Sequence, residues 1–399
     1  MAALVGGLLL RPNAERPALA EALGISGALV DATATEVEEV PCLNTVEADG
    51  IRCNRVTIDV TSGPTKGERA FFELGVTDSS VQIDRGDRLV VQFDGDNPSG
   101  LQYFFQDFQR EGPLLLLVVL FAAAVIALGR WQGVRALLAL GVTGVVLVAF
   151  AFPSILDGND PTAVALVSAV VIALVALYIT HGVTEKITVA LLGTFAALAL
   201  TAGLAIVFTN LASFTGFGSE DAYYLQFASA QIDVKGLILA GIIVGSLGVL
   251  DDVTVTQVSA VWQLHEANPS YSAKRLYSSA VTIGRDHIAS TVNTLVLAYA
   301  GASLPLLLLF AQAGRSLRQV AVGELVAVEV VRTLVGSIGL VAAVPLTTAL
   351  AAVVVTRGSV LGRSVGDPVP VAPAPEASPA PAPDWNQFAP DDPDEPRRR

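Results

Sequence analysis

Two adjacent carboxylates, Asp251 and Asp252, end an unbroken apolar run, GLILAGIIVGSLGVL (236–250). A carboxylate held at membrane depth can carry a proton or bind a cation, and its cost in an apolar setting makes it a functional candidate by default. Length bears on whether the pair reaches that depth. The run makes about 22 Å of helix at 1.5 Å per residue. The hydrocarbon core is about 30 Å thick, so roughly five to seven further residues are needed to cross it. Both aspartates fall among them.

Spacing adds a second argument. Gly241, Gly245, Gly248, Asp252, Thr256, Ser259 and Gln263 recur at helical period on one face. The first half is small and invites close approach of another helix; the second half is polar. The next apolar stretch, SSAVTIGRDHIASTVNTLVLAYAGASLPLLLLF, carries a matching set. Asp286, Ser290 and Asn293 share one of its faces, and His287, Thr291, Thr294, Ala298 and Gly301 the adjoining one. The expected polar intramembrane site is Asp251, Asp252, Thr256, Gln257, Arg285, Asp286 and Asn293, with Arg285 pairing Asp251 or Asp252. Asp252 is expected to face the helix carrying Asp286 and Asn293, and Asp251 to point elsewhere. The competing reading ends the helix at Leu250, with both aspartates in water capping a following cytoplasmic helix.

Other chemistry is sparse. His181, His265 and His287 all map to one side with Asp251, Asp252, Glu266 and Asp286, but no ligand spacing supports a metal. No GxSxG, Walker or HExxH pattern occurs, which argues against an ATPase or familiar hydrolase. The expectation is a protein that is not an enzyme and carries no cofactor. Cys42 and Cys53 are the only cysteines. A disulfide between them would close a short loop and persist only outside the cytosol; two unrelated buried thiols are the alternative.

The elements that must hold these residues follow from composition. The chain is 52% hydrophobic and 15% charged, well short of the roughly one quarter charged in soluble domains. Repeated apolar blocks from Leu114 to Val355 approach the length of a bilayer span. Seven spans are expected, near 114–129, 134–152, 162–180, 187–208, 236–258, 288–312 and 339–356. The segment 316–336, with Glu324, Glu329 and Arg332, reads as an interfacial or re-entrant helix, or else as an eighth span held by a Glu329–Arg332 pair.

Residues 28–100 differ: short β-branched runs punctuated by Pro64, Gly67, Gly75, Gly86 and Gly95 predict a small β-barrel-like domain, with an OB-like barrel as one form. No basic or aromatic stripe suggests nucleic-acid binding there, and partner docking is the favoured role. Residues 1–27 read as the apolar tail of a membrane helix that starts upstream, followed by a linker. Tyr103, Phe104, Phe105 and Phe108 suit a membrane interface, with an edge of the β-domain as the alternative. Residues 101–356 form the transmembrane domain, and the Pro- and Ala-rich acidic tail, 357–399, is expected to be disordered.

The net charge of −13 is concentrated at the two ends of the chain. RWQGVR (130–135), HGVTEK (181–186) and the loop with Lys274, Arg275 and Arg285 are basic, and basic loops sit in the cytoplasm. That puts the β-domain outside and the tail inside.

GSLGVLDDVTVTQVSAVWQLHEANP, IGRDHIASTVNTLVLAYAGASLPLLLLF and ELVAVEVVRTLVGSIGLVAAVPLTT together resemble the YibE/F family of bacterial multi-pass membrane proteins, over about residues 30–356. The resemblance implies an inner-membrane protein in contact with the bilayer and supplies no substrate and no catalytic residues. The residues and the resemblance together give a transporter-like permease as the leading expectation. An envelope assembly or docking factor acting through the outer β-domain is the alternative, and a membrane-embedded enzyme using the aspartate pair the third.

Overall fold

The computed structural model describes residues 6, 7, 10, 27–42, 52–76, 81–95, 97, 102–228, 231–314 and 316–361. Most of the expected N-terminal apolar segment and linker, and the tail from 362 onward, lie outside the described residues.

Five strands form one antiparallel sheet: β1 (Ala28–Pro41), β2 (Arg52–Val60), β3 (Arg69–Gly75), β4 (Arg88–Phe93) and β5 (Tyr103–Phe108), in the order β3-β2-β1-β4-β5. The long β1 is shared. Its first part pairs with β4, its second with β2, and a register shift between Ala34 and Glu36 bends it. Alternation puts Val30, Ala32 and Ala34 inside with Val56, Ile58 and Val60. Phe72 on β3 and Phe105 on β5, the two outer strands, approach to 6.1 Å between ring centroids, so the sheet curls into a half-barrel. Cys42 and Cys53 are joined as a disulfide, with 5.1 Å between their Cα atoms, tying the end of β1 to the start of β2.

Helices follow. α1 (Glu111–Val146) continues through a π-helical turn (Leu147–Ala151) into α2 (Phe152–Leu156). As one rod these residues would be about 69 Å long, over twice the hydrocarbon thickness. They are not one rod. Arg130 breaks the helix at φ 51°, ψ −130°, and a Cβ on Gly133 would strike the Val125 carbonyl. In a straight helix those residues would be about 12 Å apart, so the chain folds back at Arg130. The apolar side chains from Leu114 to Phe121 are each at least half exposed, a surface suited to lipid and not to water.

The core of the bundle is α3 (Pro161–His181), α4 (Glu185–Leu211), α6 (Val234–Ala267) and α10 (Glu324–Leu361). Local chemistry sets their starts. Asp160 accepts from the Thr162 and Ala163 amides ahead of Pro161, and Thr184 caps α4 through the Ile187 amide. Between α4 and α6 lies the short α5 (Glu220–Ala228), and after α6 come α7 (Ala273–Ala302), α8 (Leu304–Gln312) and α9 (Leu317–Val322). α8 turns 61° from α7 at Ser303. Among the described residues, five helices are long and apolar enough to cross a membrane, or six if α7 and α8 make one bent span.

α4 and α10 pack closely. Each carries the same pattern, GxxxAxxxT: Gly193, Ala197, Thr201 on α4 and Gly339, Ala343, Thr347 on α10. The helices run antiparallel, so Gly193 meets Thr347 and Thr201 meets Gly339. Ala197 and Ala343 are fully buried midway in the same core. Without a Cβ at either glycine the backbones approach closely, which is how helices associate in lipid.

Residues 316–336 are not a separate interfacial or re-entrant helix. The chain breaks at Gly323, and α10 then runs unbroken from Glu324 through the expected last span. Glu324 makes the start: its carboxylate accepts from the Thr215 and Gly216 amides at 2.9 and 2.6 Å and from the Thr215 hydroxyl at 2.8 Å. The Glu329–Arg332 pair, at 2.7 Å, is therefore inside the last long helix. The sharp bend among the described long helices lies instead between α7 and α8.

Candidate functional site

α6 does not end at Leu250. It continues through both aspartates to Ala267, a length of about 51 Å. The two carboxylates are thus interior to a helix and cap nothing. Propensity favours this: no Gly or Pro occurs between Leu250 and the helix end at Ala267, and Thr254 returns its hydroxyl to the Asp251 carbonyl at 3.1 Å instead of breaking the helix.

The partition of the pair differs from the expectation. Asp251 is the half-buried member, with Oδ1 sealed from solvent and without a hydrogen-bond partner. Asp252 leaves 70% of its side chain exposed, and its Oδ2 is 3.7 Å from His287 Nε2 on α7. The glycine face does meet α7: a Cβ on Gly245 would lie 3.5 Å from the Tyr299 hydroxyl. The face of α7 that answers it, however, is the His287 one. Arg285 precedes His287 by two residues, about 200° around a helix, so both cannot face α6. Arg285, Asp286 and Asn293 are exposed, and the expected Arg285 pairing with Asp251 or Asp252 is absent among the described ion pairs.

Thr256 is exposed as well. Gln257 is buried, but as a clamp: Nε2 donates to the Ala280 carbonyl at 2.7 Å, and Gly284 leaves room for Oε1. The seven residues therefore divide. Asp251 faces the interior, Asp252 joins His287, Gln257 fastens α6 to α7, and Thr256, Arg285, Asp286 and Asn293 lie on the outside. Among the described residues no group of three or more His, Cys, Asp or Glu could hold a metal.

Sequence reasoning missed a second polar region. A cleft of about 750 Å³ is lined by Arg130, Arg135, His181 and Lys186 with Thr180, Thr184 and Ser259. Val255 and Ser259 reach it from α6; Asp251, one turn earlier than Val255, recurs at the same four-residue spacing. The signal was present in RWQGVR and HGVTEK, which periodicity and loop charge assign only to a membrane side. The fold-back at Arg130 is what brings the two loops together.

Comparison with known proteins gives one finding for the helical region. No curated protein and no solved structure gives a significant match. The profile of the YibE/F-like protein family matches residues 117–357, more than half the chain, and leaves the β-domain outside the match. The match takes in α6, α7 and α10, whose segments first suggested the resemblance, and the chain belongs to the YibE/F-like protein family.

Proposed function

We propose that this YibE/F-like membrane protein is a transporter-like permease in which Asp251 takes up and releases a proton. The observation that supports this most is the state of that carboxylate: an interior position on an unbroken apolar helix, an oxygen sealed from solvent, and no hydrogen-bond partner. An unpaired charge there is costly, and a group that alternates between protonated and ionised forms gives the cost a use. The Asp252–His287 pair, at the α6–α7 contact, is the adjoining group through which water and protons reach the seam.

The topology that goes with this reading has seven crossings. It counts α1 as two spans on either side of Arg130 and α7–α8 as one bent span. The basic loops then face the cytoplasm of a bacterial cell, with the β-domain and its disulfide outside.

The test is proton flux. The purified chain is reconstituted into liposomes loaded with a pH-sensitive dye, and an inside-negative potassium diffusion potential is imposed. Acidification above that of empty liposomes is expected for the native chain and for Asp286→Asn, whose side chain is on the outside. Asp251→Asn is expected to return it to the empty-liposome level. Native-like flux in Asp251→Asn, or no flux in the native protein, refutes the reading.

A further inference from the structure

We propose that the cleft between the α1 fold-back, the α3–α4 turn and α6 is a binding site for a phosphate-bearing anion. The observation is convergence. Arg130 comes from the α1 break itself, Arg135 from the helix just after it, His181 from the end of α3, Lys186 from the first turn of α4, and Ser259 from α6. No carboxylate lines the cleft, and no carboxylate is within ion-pair distance of Arg130, Arg135 or Lys186 among the described residues. Thr180, Thr184 and Ser259 add hydroxyls.

A basic loop at a membrane surface is ordinary, and loop charge alone would carry nothing. Three features go further. The cations surround a concavity of about 750 Å³, within the range of small-molecule sites. Arg130 occupies a left-handed backbone conformation that favours glycine, although Gly129 is its neighbour. A non-glycine residue there costs roughly 1–3 kcal/mol, and such strain gathers where a side chain must be presented. Arg135 is braced over the Trp131 ring at 5.9 Å, which orders its guanidinium before any ligand arrives.

Several forked and point cations around hydroxyl donors match the three or four acceptor oxygens of a phosphate. The same chemistry is offered by the headgroup of an anionic phospholipid and by a free phosphate ion. The site does not depend on whether Asp251 moves protons.

The experiment uses the full purified chain in two arms. In the first, delipidated protein is titrated with phosphatidylglycerol and binding is read by native mass spectrometry. In the second, inorganic phosphate is added and followed by phosphorus NMR line broadening. Saturable binding is expected in at least one arm; binding of the lipid alone assigns the source to the bilayer, and binding of inorganic phosphate to a soluble ligand. Arg130→Gln, Arg135→Gln and Lys186→Gln combined should weaken it by at least about tenfold, as each lost charged contact is worth about a factor of ten. Ser259→Glu, a single change that places an anion in the cleft, should do the same. Lys274→Gln with Arg275→Gln removes charge from the first turn of α7, whose residues do not line the cleft, and should leave affinity unchanged. Absence of binding in both arms, equal weakening by the Lys274 and Arg275 variant, or no weakening by either cleft variant overturns the proposal.

Discussion

Replacing Gly193 by Ala on α4 tests the close packing against α10. In an isolated helix the change would stabilise by about 0.5–1 kcal/mol, because Ala loses less backbone entropy. Here the new carbon would lie 2.9 Å from Thr347 Cγ2 and 3.0 Å from Thr347 Cβ. Rotating the threonine side chain moves Cγ2 but not Cβ, so the two backbones must separate by a few tenths of an ångström. Overpacking of this kind costs about 1–3 kcal/mol. The net expectation is a loss of about 1 kcal/mol.

Gly203, on the same helix, has no atom within 4 Å of its Cβ position and is the internal control. Gly203→Ala should gain about 0.5–1 kcal/mol from propensity alone. The two variants then differ by about 2 kcal/mol with opposite signs. Thermal unfolding in one detergent, followed by tryptophan fluorescence, reads the difference, since Trp262 packs against a buried cluster built from α4, α6, α7 and α10. Gly193→Ala melting at or above Gly203→Ala would refute the α4–α10 interface as described.

Two further predictions come from charged pairs. Arg332→Gln leaves the Glu329 carboxylate unpaired at a partly buried position, and should destabilise by about 1–3 kcal/mol, less than the loss of a fully buried pair. Glu329→Gln added to it should recover most of that loss in the same melting assay, and a double variant no more stable than the single refutes the pairing. Outside the membrane helices, Asp107 accepts from Arg110 at 2.6 Å and from the Phe108 amide, and these hold its carboxyl below the ordinary aspartate range. A depressed carboxyl contributes stability that is present at neutral pH and lost as pH falls through its lowered pKa. Carbon NMR of the Asp107 carboxyl should show a midpoint below that of a free aspartate, moving upward in Arg110→Gln; an unmoved midpoint refutes the assignment.

Much of the architecture was legible because its signals are local. Alternation in ATATEV and RVTIDV marks strands, and apolar length marks the membrane helices. Segment 316–336 was expected to be an interfacial or re-entrant helix because charged residues are costly inside a membrane span. Glu324 is consumed by the Thr215–Gly216 amides, and Glu329 and Arg332 neutralise one another one turn apart, so α10 runs through them. The GxxxAxxxT repeat stood in both segments unread. A small-residue stripe names no partner until the antiparallel register is known.

The aspartate pair shows the same division. Apolar length led to the expectation that the helix runs on through Asp251 and Asp252, as it does, and helical spacing turned the glycine face toward a neighbouring helix, which is α7 at Gly245. Which carboxylate faces inward was beyond the sequence. Neighbours on one helix are 100° apart, and their burial depends on where α3, α4 and α7 cross α6. The sequence by itself determined that this is a membrane protein with a small β-domain, because hydrophobic length and strand period are properties of contiguous residues. Only the tertiary structure decided that Asp251 is the enclosed carboxylate and that RWQGVR and HGVTEK share one cleft. The first depends on helix crossings between segments far apart in the chain, the second on a single non-helical residue, Arg130.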